Sequence, residues 1–600
     1  MTNLEICREH GSFMIKEKLA EIVARAFESA CAEGKMGELK ECPVPIQIER
    51  PKLAEHGDLA CGVAMKLAAP LRSNPLKIAQ TLAEHIGRDK EANGNRITSF
   101  AVAPPGFINF KLGTAWLNQS LSRILIEGAD YGKLDMGRGK RVLVEYVSAN
   151  PTGDLHIGHG RNAVFGSCLV NLLKFAGYEV EAEFYINDAG EQILQLGRCA
   201  YALYRRLQGV EVEYPTEGYP EEYLSEFVAP IVEREGQAFL SLSEEEGAVK
   251  LADLTMAEII EHQKKLLAKL HVEFDRWYSE RALHKRDQVK QVLEEFLKHG
   301  FSYENEGALW LKTTELGDER DRVLRKSSGA TTYLANDSAY HLDKYRRGYD
   351  LMVNVWGADH HGQVPGLKGA MKALGEDPER LEVVLTQIVN LSRDGQIVRM
   401  SKRMGTVVML GEVMDEVGVD AVRYYLAESS PQNSINFDLE LAKKTSRENP
   451  AFYIQYAHAR CCAILRKALE PSQGQEGQLP APVTESQWQS FLQEYKTDPD
   501  VFESIFADSS EEVVQHQKAL IRRLELFPEE VREAVETRQP GRLARYAFEL
   551  ANELQKFYEV SRVITDQLSV TKARLGLILA TKQVLSNALG IIGVSAPERM

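Results

Sequence analysis

The segment RVLVEYVSANPTGDLHIGHGRNAVFGSCLVNLLKFAGYEVEAEFYIND, residues 141–188, constrains the fold more than any other. Arg141–Val147 is a nearly continuous apolar run, as expected of a parallel strand buried on both faces. NAVFGSCLVNLLKFAGY is apolar around most of its circumference, so it reads as a buried helix, and Gly177 stops it. EVEAEFYIND reads as the next strand. Strand, crossover helix and strand make the βαβ unit of doubly wound sheets. Strand-like runs resume at YDLMVNVWG and LEVVLTQIVNL, with a helix at VPGLKGAMKALG between them. In such sheets ligands bind beyond the carboxyl ends of the strands, where Ser148–Arg161 falls.

The flanking regions differ in pattern. Residues 1–125 mix a helix over about Phe13–Glu33 with half-buried strands at PIQIER and FINFKL. Between those strands, CGVAMKLAAPLRSNPLKIAQTLAEHI reads as helix broken by prolines at 70 and 75. From Leu441 onward, apolar residues recur at i, i+3, i+4 and i+7, the pattern of a helical bundle. Gly128–Arg141 reads as a linker, Ser429–Glu440 as a second break and Pro471–Ser486 as a surface loop. The 600 residues exceed one hydrophobic core. The expected fold is α/β, with a doubly wound, Rossmann-like catalytic core. Its domains are 1–125 (α+β), 126–440 (catalytic, with a charge-rich helical insertion around 195–298) and 441–600 (helical).

Composition limits the function classes. No run of 18 or more apolar residues suggests a membrane span, and the N-terminus lacks the apolar stretch of a signal peptide. A cytoplasmic protein off the membrane is expected. Eight cysteines without a Cys-x-x-Cys pair predict reduced thiols and no structural zinc. A net charge of −15 argues against a nucleic-acid partner unless basic groups gather on one face.

His156 and His159 flank Gly158 just after the Asn150-Pro151 turn. Two such imidazoles lack a nearby third metal ligand. They suit hydrogen bonds to phosphate oxygens, supporting charge that develops on phosphorus. Gly158, His159 and Gly160 fall at a helix N-terminus, where free N–H groups and the dipole favour an anion. Gly158 leaves room for a flat base against the backbone. Two satisfied helix-cap histidines fit the spacing equally well. VRMSKRMG, after the last strand-like run, puts Arg399, Ser401, Lys402 and Arg403 on a loop that can close over a triphosphate. A solvated basic loop is the alternative reading.

HIGH, followed about 240 residues later by MSK, resembles the signature pair of class I aminoacyl-tRNA synthetases. The position before Met400 is Arg399, where the usual signature has lysine. Lys402, the lysine that carries catalysis in the family, is retained. VEYVSANPTGDLHIGH resembles the arginyl-tRNA synthetase form of the first motif, with Glu145, Ser148 and Asn150 at the matching positions. TTYLANDSAY resembles that family's Tyr-x-x-x-Asp motif.

The resemblance implies L-arginine, ATP with Mg2+ and tRNA(Arg) as substrates, and a chain that acts as a monomer. It assigns His156, His159 and Lys402 to catalysis. Glu145 would meet the α-ammonium, with Ser148 and Asn150 facing the amino acid, while Asp337 would take the guanidinium beside Tyr333. Gln363 is a further pocket candidate. VWGADHHGQV resembles the ribose loop, giving Gly357, Asp359 and His360 to ATP alongside Gly158, Gly160, Arg399 and Ser401. IERPKLAEHGDLACGVAMKLA and PPGFINFKL resemble the family's N-terminal domain, which contacts the tRNA elbow. ENPAFYIQYAHARCCAIL resembles the opening helix of its anticodon-binding domain, with Tyr453, Tyr456, His458 and Arg460 as RNA contacts.

Overall fold

The structure is a computed structural model. It describes residues 15–600 apart from 38, 40, 50, 52–55, 90–96, 399–407, 471, 475–476, 480–481 and 508–509. At its centre lie five strands: β1 (Arg141–Glu145), β2 (Glu179–Ile186), β3 (Arg276–Ser279), β4 (Leu351–Gly357) and β5 (Leu381–Thr386). Their spatial order is β5-β4-β1-β2-β3, and every neighbouring pair is parallel. Chain order reverses between β1 and β4, so a ligand crevice opens there.

The apolar run of β1 is needed because both faces are covered. Val142 and Val144 enter the large core on one side, and Leu143 enters a second core on the other. Helix α1 (Ile157–Phe175) packs behind β1. Gly166 is its close-approach position, since a Cβ there would lie 2.2 Å from Cγ of Tyr146.

The insertion is shorter than its sequence suggests. Helices α2 (Glu191–Leu207) and α3 (Glu244–Lys269), with the helix Glu221–Glu235 between them, form a satellite around their own core. The chain then re-enters the central sheet as β3, inside the stretch expected to be all helix. Four residues, RWYS, are too few to show a period, yet β3 pairs with β2 in register from Glu183–Arg276 to Ile186–Ser279.

Two expected breaks are packed structure. In the 128–141 stretch Tyr131 is buried, and its hydroxyl donates to Leu524 O. In the 429–440 stretch Ile435–Asp438 pairs in parallel with Val389–Arg393, the second half of LEVVLTQIVNL. Arg161 joins these parts. Its buried guanidinium donates to the carbonyls of Ile388, Ser430 and Asn433.

The N-terminal region is a four-stranded antiparallel sheet against helices Ile15–Ala32, Val63–Leu71 and Pro75–Ile86, with a separate core. Pro70 lies inside one helix and Pro75 opens the next, where its missing N–H costs nothing. The C-terminal bundle includes helices α5 (Pro450–Leu469) and α6 (Leu568–Ile592), and shares one continuous core with the catalytic sheet. Helix α6 has the length and hydropathy of a membrane span, but 67% of its most apolar window is buried inside the protein. It is the bundle's central helix.

Candidate active site

The HIGH turn is built as a helix cap. His156 is the N-cap of α1, and its Nδ1 accepts from the backbone N–H of Gly158 (3.1 Å) and His159 (3.4 Å). In return, His159 Nδ1 accepts from His156 N–H at 3.3 Å. Backbone donors on both Nδ1 atoms fix the neutral tautomer, so each ring carries its proton on Nε2. The rings stack, 3.7 Å between centroids, and present two donors side by side. The two readings of these histidines are therefore compatible: both cap the helix through Nδ1, and Nε2 is the nitrogen that carries the proton.

The expectation of free backbone N–H groups here fails. Ile157 N–H donates to Val408 O, Gly158 and His159 to His156 Nδ1, and Gly160 to His156 O. The backbone N–H groups of this turn are therefore engaged within the protein. The expected roles of the glycines also change. A Cβ at Gly158 would lie 2.9 Å from His156 Cε1, and one at Gly160 would lie 2.6 Å from Leu410 Cδ1. Gly158 makes room for the capping ring, and Gly160 packs on Leu410. Arg399, Ser401 and Lys402 lie outside the described residues. Immediately after them, Leu410 N–H donates to Leu155 O, and a bridge joins Met409 to His156.

Strain marks the turn between β1 and the histidines. Val147 and Ser148 have φ of 68° and 44°, in the left-handed region that a β-branched residue rarely enters. This reversal brings Ser148 Oγ to Glu145 Oε1, to which it donates at 2.9 Å, while it accepts from Tyr185 N–H at 3.2 Å. Asn150 is exposed, and its Nδ2 donates to Gln192 Oε1. Buried Gln263, on α3, donates to the carbonyls of Asn150 and Gly153. The helical insertion thus holds this turn in place.

Glu145 is not free for an α-ammonium. It is buried, and Lys344 of helix α4 (Tyr333–Arg346) donates to its Oε2 at 2.5 Å. Lys344 also donates to Asn354 Oδ1 at 2.9 Å. His341 completes the network, with Nε2 2.7 Å from Asn354 Nδ2 and Nδ1 2.7 Å from Asp337 O. Burial and the neighbouring Lys344 charge hold His341 well below the usual histidine range, so it is neutral.

Asp337 is the unbalanced member. No hydrogen bond or ion pair to its carboxylate occurs among the described residues. Burial, then the charges of Glu145 and Glu280, push its pKa up to about 7, while Lys344 pulls the other way. Glu280, buried beside it and itself shifted upward mainly by burial, accepts from Asn336 Nδ2 at 2.7 Å. Around Asp337 stand three carboxylates and one ammonium, an excess of negative charge.

Tyr333 does not line this pocket as the i, i+4 pairing with Asp337 implied. It begins α4 with 76% of its surface exposed. Gln363 also lies elsewhere: its Oε1 is 3.3 Å from His360 Nδ1, in the loop beyond β4. In that loop a Cβ on Gly357 would lie 2.6 Å from Asp359 Oδ1, so the glycine makes room for that carboxylate. Asp359 and His360 are exposed at the carboxyl end of β4, across the crevice from the histidines that follow β1.

A second candidate surface lies on the bundle. Arg460 is sandwiched 4.7 Å from the ring of Tyr456 and 4.9 Å from that of Tyr558, both partly exposed. Arg466, Lys467 and Arg599 line the same hollow. Two expected contacts are absent from it. Tyr453 is buried against Phe548, and buried His458 has Nδ1 2.8 Å from Pro597 O. Tyr456 and Arg460 share the outer face of α5 at i, i+4, whereas helix Gly541–Val560 covers Tyr453 and the chain's end covers His458. Tyr558 was missed because it belongs to that other helix, about 100 residues away in sequence.

Three family models match the chain. They are "Arginyl tRNA synthetase N terminal domain" over 14–112, "tRNA synthetases class I (R), catalytic domain" over 120–445 and "DALR anticodon binding domain" over 454–600. An arginine–tRNA ligase of Desulfitobacterium hafniense is 42% identical over 585 residues, covering 96% of this chain and 98% of that one. One from Geobacillus kaustophilus is 40% identical, covering 98% and 99%. A solved structure described as a putative arginyl-tRNA synthetase from Campylobacter jejuni is 32% identical, with a TM-score of 0.70 over 82% of this chain and 100% of that one. The Thermus thermophilus arginyl-tRNA synthetase shares the fold at 21% identity, with a TM-score of 0.71 over 98% and 100%.

Proposed function

The chain belongs to the class I arginyl-tRNA synthetases, and on that premise we propose how its residues divide the reaction. It is an ATP-dependent arginine–tRNA ligase. An oxygen of the arginine carboxylate attacks the α-phosphorus of ATP, the bond to the β-phosphate oxygen breaks, and pyrophosphate leaves. A hydroxyl of the tRNA's 3′-terminal ribose then attacks the arginyl carbonyl, and AMP leaves.

The observation that carries the arginine assignment is the unpaired Asp337 carboxylate among Glu145 and Glu280. A guanidinium supplies the missing charge and two parallel donors. Ser148 and Asn150 serve the amino-acid end, with Glu145 acting from beneath. Exposed Tyr333 at the start of α4 and Gln363 beside His360 fit indirect roles.

The Nε2–H groups of His156 and His159 donate to phosphate oxygens as charge develops on phosphorus. Lys402, with Arg399 and Ser401, completes this set from the signature loop. Gly357, Asp359 and His360 serve the adenosine ribose, while Gly158 and Gly160 act by shaping the histidine turn. Mg2+ enters with ATP as the counter-ion of its phosphates.

On the tRNA side, Tyr456, Arg460 and Tyr558 form a stacking platform, and Arg466, Lys467 and Arg599 supply charge for the backbone. Tyr453 and His458 support it from within. This local basic face reconciles RNA binding with the net charge of −15. The N-terminal sheet region contacts the tRNA elbow, and 126–440 and 441–600 carry catalysis and anticodon binding. The enzyme works as a cytoplasmic monomer, and bound tRNA is required even for the first step. Charging of tRNA(Arg) with labelled arginine by wild type and Asp337→Asn tests the reading. The expected outcome is charging by wild type and a rise in arginine KM of two orders of magnitude or more in the variant. Wild-type arginine KM in the variant would overturn the guanidinium assignment.

A further inference from the structure

The resemblance that marks Glu145 and Asp337 assigns nothing to the cation between them. Lys344 has no exposed surface, an unusual state for a lysine. Its ammonium is used three ways: it donates to Glu145 Oε2 (2.5 Å) and to Asn354 Oδ1 (2.9 Å), and it sits 4.3 Å from the ring centroid of Tyr340. The other Glu145 oxygen accepts from Ser148, at the strained turn. Glu145 is therefore fixed from both sides.

The surroundings hold that arrangement. Tyr340 donates to Glu183 Oε1, and Arg347 forks onto the same carboxylate at 2.5 and 2.9 Å. Asn354, from β4, is oriented by neutral His341. Lys344 thus stands at the junction of β1, β4 and α4, the elements that carry Glu145, the ribose loop and Asp337.

We propose that Lys344 is a positioning residue for arginine selection: by pinning Glu145 through an internal ion pair, it leaves Asp337 rather than Glu145 to meet the guanidinium. This rests on the arginine reading above and names a residue that decides how the pocket meets its substrate. Without Lys344, two adjacent carboxylates would compete for the incoming cation, and their mutual repulsion would favour a protonated Asp337. The charged and titratable groups around Asp337 are Glu145 from β1, Tyr185 from β2, Glu280 following β3, and His341 and Lys344 on its own helix.

The test is a double-mutant cycle on the full-length enzyme, measuring KM for arginine and for ATP, kcat, and the pH profile of kcat/KM for arginine. Lys344→Met is expected to raise arginine KM at least tenfold at pH 7. KM for ATP should stay within twofold, and the rising limb of the pH profile should move to higher pH. In the Glu145→Gln background the same substitution is expected to change arginine KM by less than twofold, because Lys344 acts through Glu145.

Equal effects in the two backgrounds would overturn the proposal. So would a parallel loss in arginine KM, ATP KM and kcat with an unmoved pH profile, the mark of a merely structural lysine. If Lys344→Met does not fold, comparing Glu145→Gln with Glu145→Gln/Lys344→Met decides alone: a further tenfold rise in arginine KM contradicts the proposal. Asp337→Asn separates this failure from that of the underlying reading, since wild-type arginine KM there would remove the guanidinium assignment itself.

Discussion

His156 and His159 lie face to face, 19° between ring planes, because each imidazole accepts a backbone N–H from the other's residue. The exchange closes the N-terminus of α1 and fixes where both Nε2 protons point. Fold and chemistry are thus coupled in a few residues. Replacing His159 with alanine removes a cap and a phosphate donor together. The expected cost is about 1 kcal/mol of stability and roughly a hundredfold or more in pyrophosphate exchange at saturating arginine. Chemical denaturation and exchange kinetics measure the two separately.

Gly158→Ala tests the same geometry without removing a functional group. The added Cβ would fall 2.9 Å from His156 Cε1 and 3.0 Å from Nδ1, so the ring must leave its cap. Exchange is expected to fall roughly tenfold or more, with arginine KM within twofold of wild type. If Gly158 instead accommodates a base, ATP KM would rise while kcat held.

Asp337 gives the enzyme a pH signature. Its carboxyl is pushed up to about 7 from an ordinary 3.8, so the native state holds this proton more tightly than the unfolded chain. The stability it contributes is complete below pH 3.8 and is lost as pH rises through about 7. A guanidinium favours the ionised form and reverses that loss. Arginine is therefore expected to raise the melting temperature more at pH 8 than at pH 6, and kcat/KM for arginine should climb through neutral pH. Equal thermal shifts at the two pH values would contradict this. A buffer series in differential scanning fluorimetry measures them.

Arg423 ties the bundle to the catalytic sheet. Wholly buried, it donates to the carbonyls of Ile592 and Leu270 and to Ser167 Oγ, at 3.0, 2.7 and 3.0 Å. Arg423→Met strands these acceptors where α6 meets α1. Stability is expected to fall by on the order of 3 kcal/mol. The catalytic core and bundle should still melt in one transition, because they share one hydrophobic core. Calorimetry shows whether the transitions stay merged.

How much could be read beforehand depended on how each element announces itself. The β1–α1–β2 unit was legible because burial on both faces demands unbroken apolar runs. The strand β3 was not, since RWYS is too short for a period and is held by the open edge of β2. Histidines and acids stood out as residue types, which is why the candidate site was drawn around them. Lys344 did not, because YHLDKYRR reads as a solvated helix face and only its burial reveals an internal ion pair. Nor could spacing alone turn Tyr453 inward and Tyr456 outward on one helix. Neighbouring helices decide that.

On the bundle, Arg460→Ala removes the cation held between Tyr456 and Tyr558. KM for tRNA is expected to rise roughly tenfold, and the slope of log affinity against log salt to fall by about one. Pyrophosphate exchange at saturating tRNA should be unchanged. An unaltered salt slope in filter-binding titrations would move the RNA contact elsewhere.

The measurement closest to the central claim is ATP–pyrophosphate exchange by the wild-type enzyme with each standard amino acid in turn, with and without tRNA(Arg). Exchange driven by arginine alone, and only with tRNA present, is the predicted result. Exchange driven by a different amino acid would contradict the assignment of the Asp337 pocket to a guanidinium. Arginine-driven exchange without tRNA would contradict the coupling of activation to tRNA binding.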